Sequence, residues 1–379
     1  MLIKGGRVLC ADFTFAQSDI RLDGENIAQV GSIGGACDID ASGMFVLPGL
    51  VDIHTHGVGD CESFDGGDAP AKVARRLALG GTTAYLPTSR GMELGSLVDV
   101  TAQVADFIES GASDDSAEPL GINLEGPFIS PKKNGAHPVE YLSAPSRELF
   151  AKLKAASRGH IRLMTVAPEL DGASELIAEA AAEFAVSLGH TAADYGTAKE
   201  SFERGVSHAT HLFNAMLPMG HREPNAVGAV LESESVTAEL ICDGEHLHPS
   251  TVRLAFRALG SERAVLVSDS VAGATMPCGD YVFRGIAHKR DGGAAVRLAD
   301  GSLAGGGGFL LDNVRAAVSF GIPLEAAVKA ASINPARVAR ADARIGSIAE
   351  GKRADLLLLD SELKLTGVIL RGKPLIIHN

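Results

Sequence analysis

The sequence predicts an α/β protein: a (β/α)8 TIM-like barrel with a small β-sandwich domain formed from both chain termini. Three observations carry this. The middle of the chain alternates short apolar runs with amphipathic helical segments. Those runs number eight. Both ends read differently, as glycine-punctuated alternating strands.

The apolar runs are LVDIH (50–54), TTAYLPT (82–88), LGINLE (120–125), IRLMTVA (161–167), FAVSLGH (184–190), VSHATH (206–211), VTAELIC (236–242) and AVLVSD (264–269). Helical periodicity fills the gaps, as in APAKVARRLALGG, SRELFAKLKAASR, GASELIAEAAAEF and STVRLAFRALG. An open doubly wound sheet would want a glycine-rich fingerprint after an early strand, and none is there. The run AGGGGF (304–309) lacks the lysine of a phosphate-binding loop, so it reads as a flexible or closely approached loop. MLIKGGRVL, SDIRLDGENIAQVG and GMFVLPG at the start, with ADLLLLDSELKLTGVILRGKPLII at the end, supply the small domain. Pro48-Gly49 marks its first boundary. The expected division is 1–48 plus 345–379 for the β domain and 49–344 for the barrel.

The bulk properties narrow the function. The 379 residues are 46% hydrophobic and 21% charged, which supports a large core and argues against disorder. A net charge of −13 argues against nucleic-acid binding but permits a small anionic substrate held by local cations. Five cysteines (Cys10, Cys37, Cys61, Cys242 and Cys278) without a CxxC pattern argue against a disulfide framework. With no signal-peptide pattern and no span of roughly 20 apolar residues, a cytoplasmic location off the membrane is expected.

The polar residues that carry chemistry recur at strand ends. His54 and His56 close the first run, Glu125 the third, His190 the fifth, His211 the sixth and Asp269 the eighth. In a barrel those ends converge on one face. Residues i and i+2 of a strand share a side, so His54 and His56 can serve one ion. Glu125 follows an apolar run, where an unpaired carboxylate is costly. Imidazole and carboxylate suit zinc or iron. Asp269 is placed to accept a proton from an activated water and return it to a leaving amine. His208 lies three residues from His211, so it faces the other way and receives no metal role. Each residue alone reads better as an ordinary polar or core side chain; their joint placement changes that.

With these residues laid out, the sequence resembles the amidohydrolase superfamily, and within it the N-acetylglucosamine-6-phosphate deacetylases. The resemblance runs through PGLVDIHTHG (48–57), GGTTAYLPT (80–88), LEGPFISPKKNGAH (124–137), GHTAA (189–193), THLFNAM (210–216), DGEHLHP (243–249), SDS (268–270), NPAR (334–337) and the closing GSIAEGKRADL (346–356). LEGPF and THLFNAM are its most specific parts. It implies that Glu125, His190 and His211 hold a principal divalent metal, zinc first with iron(II) or manganese(II) as alternatives. His54 and His56 would hold a second ion. Asp269 would be the catalytic acid/base, and His137, Asn214, Ala215, Arg222 and His246 would contact substrate. Arg222 and His246 would face the 6-phosphate, in this subunit or across a homodimer. The implied reaction is hydrolysis of N-acetyl-D-glucosamine 6-phosphate to the free amine and acetate.

Three rivals follow: a galactosamine counterpart, a cyclic-amide hydrolase, and a non-catalytic scaffold. The fourth run, IRLMTVA, contains no lysine to bridge two metals in the way many cyclic amidases do. A scaffold is disfavoured because all five candidate ligands are present. SVAGATMPCGDY after Asp269 and SLAGGGG (302–308) depart from the family pattern.

Overall fold

All eight apolar runs form strands in the structure, a computed structural model that describes residues 1–377. We label them β1 (Leu50–Thr55), β2 (Thr82–Pro87), β3 (Ile122–Glu125), β4 (Ile161–Val166), β5 (Ala185–Leu188), β6 (Val206–Ala209), β7 (Thr237–Leu240) and β8 (Ala264–Leu266). Every pairing among them is parallel. β3 through β8 form one six-stranded sheet in chain order, while β1 and β2 pair with each other and a short strand at Glu118–Pro119 extends their sheet. Contacts at both edges link the sheets. Thr88 bridges to Asn123 beyond β2, and the Asp269 N–H donates to the His54 carbonyl at 2.9 Å beyond β8.

The helices form where the periodicity predicts. Ala69–Leu79 buries Val73, Ala74, Leu77 and Ala78 on one face. Arg147–Ser157 starts at Ser146, whose hydroxyl accepts the Leu149 N–H at 3.3 Å, and Tyr195–Arg204 starts at Asp194, which accepts from Thr197 at 2.8 Å. Every residue of β1 and β2 is buried, as parallel strands covered on both faces require. Within NPAR, the Asn334 amide donates to the Ser261 and Ala264 carbonyls at 2.8 Å, tying a late helix to the start of β8.

The termini join in one eight-stranded sheet. Residues Phe45–Pro48 pair with Leu2–Leu9 on one side and with Leu356–Leu359 on the other. Where the sequence suggested two stacked layers, hydrogen bonding runs through a single sheet that bends. Its first strand is bulged between Ile3 and Gly6, with Gly5 at φ +72°. The bend encloses a core of Ile3, Val8, Ile20, Ile27, Val46, Leu356 and Leu358, and brings Asn26 into a bridge with Arg353.

The sequence missed a four-stranded antiparallel sheet (Gly279–Phe283, Ile286–Arg290, Ala295–Leu298 and Leu303–Gly306) inserted after β8. The first part of the glycine run is its last strand rather than a flexible loop. The Gly306 N–H donates to the Asp269 carbonyl at 2.7 Å. A Cβ on Gly306 would sit 2.1 Å from the Ser268 carbonyl oxygen, so only glycine permits this approach.

Candidate active site

Seven of the predicted residues converge on one point. Glu125, at the end of β3, is at its centre and 2% exposed. Its Oε1 lies 3.1 Å from His190 Nε2, 3.0 Å from His211 Nε2 and 3.3 Å from His54 Nε2. Its Oε2 lies 3.2 Å from both His56 Nε2 and His137 Nε2. Asp269 Oδ1 stands 3.5 Å from His54 Nε2 and 3.3 Å from His56 Nε2.

The backbone is strained where these side chains leave it. His190 (φ +46°), His211 (+24°), Ala215 (+50°) and Asp269 (+48°) are all non-glycine residues in the left-handed region. Each such residue costs about 1–2 kcal/mol, and the surrounding packing must offset it.

Ring protons can be assigned from the partners. His190 Nδ1 lies 2.9 Å from the Lys133 carbonyl, so it donates and leaves Nε2 with a free lone pair. His54 Nδ1 lies 2.8 Å from Glu239 Oε2 and likewise donates, freeing Nε2. His137 is the opposite case. Its Nδ1 accepts the Gly91 N–H at 2.9 Å, so its Nε2 carries the proton. Glu125 can form metal-binding trios with His54 and His56, or with His137 and His190. The tautomer leaves His137 Nε2 a donor toward Glu125.

The arrangement fits a cation. His54 Nε2 is fully buried and makes no hydrogen bond. His190 Nε2 and His211 Nε2 face each other at 3.0 Å, both against Glu125 Oε1. Nitrogen lone pairs and a carboxylate oxygen gather in this way around positive charge. The carboxylates and imidazoles stabilise one another's charged forms: against burial, Glu125 and Glu239 raise His54 well above its ordinary value, and Asp269 and Glu125 raise His56 to about 9. Burial disfavours charge on Glu125 and Asp269, yet the neighbouring imidazoles outweigh it. Glu125 is held well below the ordinary carboxylate range, chiefly by His54 and His137, and Asp269 below it, chiefly by His56 and His54. Burial pushes His190 down to about 4, so it is neutral and ready to donate a lone pair.

The cluster floors a cleft of about 330 Å³ also lined by His137, Asn214, Ala215, His246, Leu303 and Gly305. His246 is steered by Asp243, whose carboxylate holds His246 Nδ1 at 2.6 Å. Burial works against charge on His246, but Asp243 outweighs it and raises its pKa. His246 thus lies in its own chain's cleft. Arg222, the other residue expected at a phosphate site, lies apart from it. It is exposed, on the surface loop before helix Asn225–Glu232, and does not line this cleft.

Sequence reading missed Glu239 and Asp52. Glu239 is fully buried on β7; besides His54 it accepts the His211 N–H at 2.9 Å and contacts His208 Nε2 at 3.2 Å. His208 therefore stands behind the metal-facing imidazoles, without contact to Glu125. Asp52 accepts the His54 and Ser268 N–H groups, each at 3.3 Å, and burial pushes it up to about 7. The available signal was one carboxylate inside each of the apolar runs VTAELIC and LVDIH.

A buried carboxylate ringed by imidazoles, at the ends of parallel strands, is the arrangement of a metal-dependent hydrolase site. The match to known proteins places it: residues 45–375 fit the amidohydrolase family, and the chain belongs to that family. Relatives of the chain include amino-sugar phosphate deacetylases. It is 36% identical over 333 residues to the N-acetylglucosamine-6-phosphate deacetylase of Bacillus subtilis (86% of this chain, 83% of the relative). It is 34% identical to an N-acetylgalactosamine-6-phosphate deacetylase of Escherichia coli O157:H7 (86% and 87%). The solved structure of the N-acetyl-D-glucosamine-6-phosphate deacetylase of Mycobacterium smegmatis superposes with a TM-score of 0.93 at 29% identity, covering 99% of this chain and 100% of that one. A mutant of that enzyme has been solved in complex with N-acetyl-D-glucosamine-6-phosphate.

Proposed function

We propose that this enzyme hydrolyses N-acetyl-D-glucosamine 6-phosphate to D-glucosamine 6-phosphate and acetate in amino-sugar catabolism. One observation carries the reading: His137, a fixed Nε2–H donor, and Asp269, a carboxylate below its usual pKa, flank the same metal-competent cluster at the floor of a sugar-sized cleft. The first is what a developing oxyanion requires, the second what a departing proton requires.

Glu125, His190 and His211 would hold the principal divalent ion, and His54 and His56 a second. Zinc is the first choice for this nitrogen and oxygen set, with iron(II) or manganese(II) as alternatives. When bound, such an ion polarises the amide carbonyl and acidifies water from a pKa of about 16 to about 7. Asp269 takes the attacking water's proton and delivers it to the amine nitrogen. His137 hydrogen-bonds the carbonyl oxygen as charge builds there. Asn214, Ala215 and His246 position the sugar, and His246, whose charged form Asp243 favours, faces the phosphate.

We further read β1–β8 as one closed (β/α)8 barrel spanning residues 49–344. The Thr88–Asn123 bridge and the Asp269–His54 hydrogen bond support closure at both seams. Residues 1–48 and 345–379 make up the small β domain, folded back in sandwich fashion; the last two lie outside those described. We also propose a homodimer in which Arg222, beside exposed Met219, reaches the neighbour's phosphate site. A cytoplasmic location fits. Among the described residues no helix is long and apolar enough to cross a membrane.

Acetate release should be measured across N-acetylglucosamine 6-phosphate, N-acetylgalactosamine 6-phosphate, their unphosphorylated forms and dihydroorotate. The first substrate is expected to lead. A preference for the galactosamine ester would revise the sugar, turnover of dihydroorotate would favour a cyclic amidase, and protein purifying without metal or turnover would favour a scaffold.

A further inference from the structure

A second cavity meets the first at the cluster. It measures about 60 Å³ and shares His56, Ala136, His137 and Ala304 with the sugar-sized cleft. Its further walls include Gly91 and Pro138, Val271 after β8 and, from the inserted antiparallel sheet, Ile286, His288 and Leu298. Glu62 and Arg90 also line it. Their side chains pair at 2.9 Å and are 4% and 17% exposed. The Glu62 carboxylate also accepts the Ala272 N–H at 3.2 Å, which fixes the pair to the chain beyond β8.

We infer that this smaller cavity is the acyl subsite, and that Ile286 and Leu298 set the length of acyl chain the enzyme removes. The inference rests on the deacetylase reading above. The scissile amide must lie against His56 and His137, where the two cavities meet. Its two substituents then point opposite ways. A phosphorylated hexose fits only the larger cleft, which leaves the smaller one for the acyl group. Space for a few water-sized groups admits an acetyl methyl and little more. A longer alkyl chain would press on Ile286 and Leu298, or abut the Glu62–Arg90 pair, where apolar contact strips hydration from charges without replacing it. The inserted sheet is thus a specificity element. It is fastened beside the cleft by Glu245, which ion-pairs with Arg297 and accepts the Ala294 N–H.

The test is kcat/KM for N-acetyl, N-propionyl and N-butyryl glucosamine 6-phosphate with the metal-loaded enzyme. One methylene in a hydrophobic pocket is worth about 10–200-fold. The butyryl substrate should therefore fall at least about 100-fold below acetyl. Leu298→Ala and, separately, Ile286→Ala should each narrow that ratio about tenfold. A flat wild-type series, or an unchanged ratio in both variants with wild-type metal content, overturns the proposal and makes the cavity a water pocket. The wild-type series stands even if one variant fails to fold. Absence of turnover on the acetyl substrate would overturn the deacetylase reading, and this one with it; acetyl turnover with no acyl discrimination would overturn this one alone.

Discussion

His54 Nδ1 donates to Glu239 Oε2 at 2.8 Å, and both side chains are fully buried. The contact fixes the imidazole's tautomer and aims its free Nε2 at Glu125 and Asp269. A carboxylate behind a histidine in this way raises its basicity as a ligand. Glu239→Gln should lower metal affinity about 10–100-fold, read by calorimetric metal titration, with turnover recovering at high metal concentration. Unchanged affinity in a folded variant would remove Glu239 from the metal site.

The proposed reaction assigns proton transfer to Asp269. Asp269→Asn is expected to retain metal content and substrate binding while kcat falls about 10²–10⁴-fold. The check is single-turnover acetate release on protein assayed for metal. Near-normal turnover would assign the proton transfers elsewhere.

Gly306 acts on Asp269 through the backbone. The Cβ of Gly306→Ala would meet the Ser268 carbonyl oxygen, so the strand or the Asp269 segment must move. Overpacking of this kind costs about 1–3 kcal/mol, and kcat should fall because Asp269 is displaced. Thermal unfolding and kcat together test this. A loss of stability with full activity would show that the site tolerates the shift.

Ion pairs tie the chain leading into the terminal sheet to the strand beside β2. Glu118, on the strand beside β2, pairs with Arg353 and with both Nη atoms of Arg344, at 3.0 and 2.9 Å. Burial opposes its charge, but Arg344 and Arg353 prevail and hold it below the usual carboxylate range. Its stabilising contribution is therefore present above the unfolded pKa of about 4.3 and lost as pH falls through the lower folded value. Glu118→Gln should cost about 1–3 kcal/mol at neutral pH. The gap from wild type should close on acidification below the unfolded pKa, read from urea midpoints across pH. A gap independent of pH would mean the loss is one of packing.

The eight parallel strands were legible from the sequence because each is a short apolar run between turn signals, covered on both faces. His54, His56, Glu125, His190, His211 and Asp269 were legible because each follows such a run, and strand ends converge. Glu239 and Asp52 were harder, since one carboxylate inside an apolar run has no periodic partner to mark it. The strands at 279–306 are short and largely exposed or half-buried, so their hydrophobic signal is weak. Leu303–Gly306 was hidden further by its glycines, which depart from strand preference because neighbouring backbone lies too close for a side chain.

The sequence by itself determined the kind of fold, the set of metal-competent residues and the resemblance to deacetylases, because periodicity and residue chemistry are local. Only the tertiary structure decided the rest. It turned His137 Nε2 toward Glu125 as a donor, because Gly91, 46 residues away, donates to its other nitrogen. It placed His246 in its own chain's cleft and Arg222 outside it, and set two cavities of unequal size on either side of His56 and His137. Those outcomes depend on distances between residues remote in the chain, which no single segment encodes.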